Sequence, residues 1–180
     1  MIANIWFYMA KREILIEPNK ILRQVSTSVE KVGSKEKDLM NDMLETMYAA
    51  NGIGLAAIQI GVPKRIIVMD IAKNNDEKKP MFFVNPVIKE KNLIKSTYEE
   101  GCLSVPDQFA EIQRPSQCKV EYLDYNGDEK ILKAEGLLAT CIQHEMDHLE
   151  GILFIDYLSK LKKSMIVKKL SKNKSNRIIV

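Results

Sequence analysis

The sequence predicts an α+β fold: antiparallel or mixed β-sheets around a central HExxH helix, with an N-terminal amphipathic helix and a C-terminal helix. Three observations predict it. Apolar residues recur at helical spacing in separate stretches, shorter runs carry the alternating or continuous apolar pattern of strands, and the two kinds do not follow one another as regular βαβ units. At 180 residues and 46% hydrophobic content the chain suits one globular domain with an ordinary core.

The first helix is expected after Ser34, a candidate cap. Leu39, Met40, Met43, Leu44, Met47 and Tyr48 then share one helical face until Asn51-Gly52 closes the pattern. Such a methionine stripe is most simply core packing. Residues 65–69 and 81–84 read as strands on either side of a charged loop, 74–79. Residues 118–122 and 131–134 flank Asn126-Gly127, which predicts a hairpin with a tight turn. A helix returns from 137 to about 150, with Gly151 placed to stop it. The last helix runs from 157 to about 170, with Leu158, Leu161 and Met165 on its apolar face and lysines opposite.

Three cysteines, Cys102, Cys118 and Cys141, make no paired disulfide framework, so a reducing compartment is expected. Cys118 falls on a predicted strand and reads as structural. No apolar run reaches the roughly 20 residues of a membrane span. Residues 1–8 are apolar but lack the basic leader and small-residue cleavage site of a secretory signal. Met9-Ala10-Lys11-Arg12 reads as a fresh start, which makes residues 1–8 either a mis-assigned upstream start or a short extension. The net charge of +3 is uneven: eight of the 27 Lys and Arg residues lie between 160 and 180, where no acid occurs. A basic tail over 171–180 and the helix before it can meet an anionic partner.

Both histidines of the chain lie in Gln143-His144-Glu145-Met146-Asp147-His148. Four residues apart on a helix, they sit one above the other and can grip one metal ion. Glu145, three residues before His148, faces the same side. A catalytic metal usually takes three protein ligands and keeps one position open for water, so a third ligand is needed. Downstream, the side-chain carboxylates are Glu150 and Asp156. Glu150 lies about 200° round the helix from His148, and Asp156 is a candidate with nothing to single it out. Upstream, Cys102 lies in the glycine-containing segment 99–106, where a loop thiolate can complete a Cys-His-His set. A further segment, 52–59, carries Gly52 and Gly54, which let backbone come close to a ligand.

Taken in order, GIGLAAIQ (52–59), EGCLS (100–104) and QHEMDHLEG (143–151) resemble peptide deformylase. Pro18, Leu22, Arg23, Val29, Asn85-Pro86, Arg114-Pro115 and Asn126-Gly127 extend the resemblance over residues 9–170. It implies one catalytic domain over that range, ending in the basic helix, that removes the formyl group from the formyl-methionine of new polypeptides and releases formate. It makes Cys102, His144 and His148 the ligands of one divalent metal: Fe²⁺ in the cell, with Zn²⁺, Ni²⁺ or Co²⁺ as replacements in purified samples. Glu145 becomes the general acid and base, and the Gln59 side-chain amide and Leu103 backbone N–H become donors to the developing oxyanion. Ile53, Leu137 and Cys141 become walls of the methionine pocket, and backbone at Gly54 holds the peptide as an added strand. Phe109 stands where some relatives carry arginine at the peptide-binding edge, and Glu100 and Arg114 are expected to pair nearby. The implied partners are N-formylmethionyl nascent peptides and, through the basic helix, the ribosome. A monomer in bacterial cytoplasm or an organelle, without DNA or membrane contact, completes the expectation. Two rival readings are a zincin-type metallopeptidase with a different third ligand, and a non-catalytic protein with a structural zinc closed by Cys141 and a basic tail that binds RNA.

Overall fold

Residues 11–72 and 76–172 are described by the computed structural model. The segment 1–8, part of the charged loop and all but the start of the tail at 171–180 lie outside these residues. α1 (Ser34–Ala49) opens at Gly33, not Ser34, as its cap: the Glu36 carboxylate reaches back to accept the Gly33 N–H at 3.1 Å, so no hydroxyl cap is needed. Met40, Met43 and Met47 are buried against Leu55, Ile66, Val68 and Val84, which makes the methionine stripe core.

A five-stranded antiparallel sheet runs in the order β1 (Gly54–Ala56), β2 (Ile66–Met69), β3 (Met81–Lys91), β6 (Gln117–Leu123), β7 (Glu129–Glu135). β3 continues beyond the predicted end at residue 84 because its register shifts after Val84, where Asn85 takes φ 50° and its amide bonds both the N–H and the C=O of Val29. The β6–β7 hairpin forms in the predicted place. Its turn spans residues 124–128: Asp124 Oδ1 accepts the N–H groups of Asn126 and Asp128, and Gly127 supplies φ 87°.

A second sheet, β4 (Lys95–Cys102) with β5 (Val105–Pro115), replaces the loop expected around Cys102. Its inward positions include Ala110 and Arg114 beside Ile112, too mixed a set to read as an apolar strand face. Both sheets are antiparallel, and an isolated parallel bridge joins Thr27 to Lys64.

α2 (Gly136–Leu149) carries both histidines, and Gly151, φ 71°, turns the chain away just past its Glu150 cap. Ala139, Ile142 and Leu149 join Ile67, Phe83 and Val120 in the core. A 3-10 turn, Phe154–Tyr157, precedes α3 (Lys160–Lys172), which starts three residues later than predicted. Of its predicted apolar face Leu158, just before the helix, packs on the core, but Leu161 and Met165 are 73% and 63% exposed, while Ile166 and Leu170 are buried on Leu153, Phe154 and Ile155. Each pair has the same four-residue spacing, so local pattern could not choose between them. Among the described residues no helix is long and apolar enough to cross a membrane.

Candidate metal centre

The strand register shifts between Gly101, opposite Phe109, and Cys102, opposite Val105. Such a shift re-aims a side chain at the end of a ladder, and Cys102 Sγ meets His148 Nε2 at 3.3 Å. One ligand atom each from Cys102, His144 and His148 lies within 4.8 Å of the others. His144 Nδ1 is engaged by Glu100 Oε2 at 2.8 Å, which directs the other ring nitrogen to the cluster. A metal-ligating imidazole is commonly oriented in this way by a carboxylate. Burial and the neighbouring His144 push the His148 pKa well below its ordinary value. A sulfur and two imidazoles suit a borderline or soft divalent cation, and these residues fit one.

Glu145, on the same helix, is buried, and its Oε2 has no hydrogen-bond partner. Its pKa is pushed up to about 7, chiefly by burial and further by Glu100 and Asp147, against the pull of His144 and Arg114. Gly54 makes room for it: a Cβ there would collide with the carboxylate. Gly52 does the same for the Leu103 side chain, 2.7 Å from where a Cβ would stand. Thus the two glycines of 52–59 serve protein side chains as well as an open cleft.

Gln59 lies on the 3-10 turn after β1. The Ala56 N–H fixes its Oε1 at 2.8 Å, and its Nε2 faces Ser104 Oγ at 3.1 Å and Cys102 Sγ at 3.5 Å. Ser104, to which the sequence pattern assigns no role, therefore helps set the direction of this amide. A cavity of about 460 Å³ opens onto the cluster, bordered by Ile53, Gly54, Leu103, Phe109, Leu137 and Cys141 among others. The Cys141 thiol is directed at the Ile53 carbonyl, 3.9 Å away, and is not part of the ligand cluster. The structural-zinc reading therefore lacks its fourth ligand.

Both downstream carboxylates are engaged elsewhere. Glu150 pairs with Arg65 at 2.6 Å, and Asp156 with Arg23 and Lys163, each at 2.5 Å. The expected Glu100–Arg114 pair is present, and Arg114 also binds Asp147. Asp147, for which the sequence allows helix surface or an outer-shell place, is half-buried and reaches the centre through Arg114. Cys118 is buried on β6, where burial raises its pKa, in keeping with a structural role.

A thiol and two imidazoles converging beside a buried carboxylate, on the wall of an open cleft, match the donor set and base that a mononuclear metal-dependent hydrolase uses. Residues 11–164 match the family model described as polypeptide deformylase, and the chain belongs to that family. It is 76% identical over 172 residues to the peptide deformylase of Pelagibacter ubique, covering 96% of this chain and all of the relative. Its fold is similar to the crystal structure of Ehrlichia chaffeensis peptide deformylase in complex with actinonin, with TM-score 0.88, 44% identity, and 93% and 99% of the two chains covered. It is also similar to a Met-Ala-Ser-bound class I type b peptide deformylase from Acinetobacter baumannii, with TM-score 0.79, 32% identity, and 83% and 99% covered.

Proposed function

We propose that this chain hydrolyses the formyl amide of N-formylmethionyl polypeptides and releases formate. The observation that carries this reading is the meeting of Cys102 with His144 and His148 beside Glu145 in a cleft. Cys102, His144 and His148 hold one divalent cation, Fe²⁺ in the cell and Zn²⁺, Ni²⁺ or Co²⁺ in exchanged samples. When bound, the cation supplies Lewis acidity toward water and the formyl oxygen.

Glu145 accepts the proton of the attacking water as the new O–C bond forms, then delivers it to the departing nitrogen as the C–N bond breaks. Its place three residues before His148 keeps both steps within the helix's own geometry. The Gln59 amide, aimed by Ser104 and Ala56, and the Leu103 backbone N–H donate to the charge that grows on the formyl oxygen. The methionine side chain packs against Ile53, Leu137 and Cys141. Its backbone pairs at Gly54, where β1 is the edge of the larger sheet. Main-chain pairing of this kind tolerates many protein substrates, and the peptide bound by the Acinetobacter relative begins with methionine.

Residues 9–170 act as one catalytic domain built around the HExxH helix, a monomer of the bacterial cytoplasm or an organelle. The lysines of α3 bring it to the ribosome, and neither DNA nor membrane is a partner. Formyl-Met-Ala given to protein prepared without oxygen, with formate and bound metal measured together, tests the reading. Formate release by metal-loaded protein is expected. No formate from loaded protein overturns it, and cleavage of internal peptide bonds with the formyl group retained restores the zincin reading.

A further inference from the structure

The donors of the metal centre come from two elements, Cys102 from the end of β4 and both histidines from α2. The site therefore exists only while the β4–β5 hairpin keeps one position on α2. A buried ion-pair cluster spans that junction. Arg114 on β5 donates through Nε and Nη2 to the two oxygens of Glu100 on β4, at 2.6 and 3.0 Å. Its Nη1 donates to Asp147 Oδ2 on α2 at 2.7 Å. Glu100 Oε2 also meets His144 Nδ1, so the guanidinium and the ligand imidazole share one carboxylate oxygen.

Tyr157 closes the far end. Its hydroxyl donates to the same Asp147 oxygen at 2.9 Å, and its ring centre lies 5.0 Å from the Arg114 guanidinium carbon. This residue ends the 3-10 turn before α3 and is 52% exposed, so the chain of contacts runs from the surface to a metal ligand. A guanidinium is a rigid planar fork. Fixing it at Asp147 and over the Tyr157 ring therefore fixes Glu100 at its other edge.

We propose that Asp147 and Tyr157 are positioning residues of the metal centre. Through Arg114 they hold Glu100 on His144, and with it the hairpin that presents Cys102, and so set how long the cation stays bound. The inference rests on the ligand set given under Proposed function.

Full-length protein loaded with Co²⁺ provides the test, because its visible absorption reports thiolate and imidazole coordination without reference to turnover. In Tyr157→Phe, which keeps the ring, and in Asp147→Asn, Co²⁺ release to excess EDTA is expected to quicken by about tenfold, with an altered spectrum. The melting midpoint of the metal-free protein is expected to move no further than in Glu121→Gln, a surface pair on β6. Tyr157→Leu, which also removes the ring, is expected to release Co²⁺ faster still. Wild-type release and spectrum in both conservative variants overturn the proposal. So does faster release that only tracks a lower midpoint of the metal-free protein. A wild type that shows the thiolate band yet makes no formate from formyl-Met-Ala removes the deformylase reading alone, whereas a Co²⁺ spectrum without that band overturns both.

Discussion

The Glu145 carboxylate packs against the bare Cα of Gly54, filling the space that a Cβ would need. An added methyl would stand 2.9 Å from Glu145 Cδ and 3.0 Å from Cγ, closer than ordinary packing allows. The side chain must then swing away, while its helix stays. Gly54→Ala is expected to keep its metal and fold and to lose about 100-fold in turnover, the scale of a displacement near 1 Å at reacting groups. Formate release at saturating substrate, with metal content by atomic emission, checks this; wild-type turnover would show that Gly54 does not protect the Glu145 position.

Glu145→Ala removes the proton carrier and leaves all three donors. Metal content equal to wild type is expected, with turnover lower by about 10²–10⁴, the range for a positioned acid and base. An active variant would take the proton-transfer role away from this residue.

Cys102→Ser replaces a sulfur that ionises readily by an alcohol that stays neutral. Protein refolded with limiting Co²⁺ is expected to retain less metal than wild type and to lose the thiolate absorption. Undiminished metal at limiting supply would count against sulfur as a ligand.

Asp156 ties the N-terminal segment to α3 through Arg23 and Lys163 and accepts the Leu153 N–H at 2.8 Å. Burial raises its pKa, but bonds from Lys163, Leu153 and Arg23 outweigh that, so the folded value lies below the ordinary 3.8. A carboxylate with a depressed folded pKa stabilises above its unfolded value and loses that contribution as pH falls through the folded one. Asp156→Asn is expected to cost about 1 kcal/mol at neutral pH, the partners being partly in water. Urea denaturation should show this difference constant down to near pH 4 and shrinking below 3.8. A difference that grows on acidification would contradict the sign.

Lys162, Lys168 and Lys169 are exposed on α3, whereas Ile166 and Leu170 anchor it. Removing the helix would uncover Phe154 and Ile155, so charge reversal is the cleaner probe. Changing the three lysines to glutamate is expected to leave formate release from small peptides intact and to weaken ribosome binding most at low salt, with a shallower salt dependence than the wild type. Equal ribosome binding at low salt would end the proposed role of this face.

The sequence alone determined what depends on near neighbours. The four-residue gap between His144 and His148, the glutamate between them, the methionine stripe of α1 and the stop at Gly151 are all set by the 3.6-residue period and by local backbone sterics. The order of the three motifs added the family resemblance, which singled out Cys102 among the possible third ligands and brought in Gln59 and Leu103 as candidates. Only the tertiary structure decided which sulfur faces the imidazoles, since Cys102 stands 46 residues before His148 and reaches it through a strand pair whose inward residues are not uniformly apolar. It also decided which face of α3 docks and why Gly54 must lack a side chain. Both are contacts between segments far apart in the chain, and periodicity carries no record of what a face will meet.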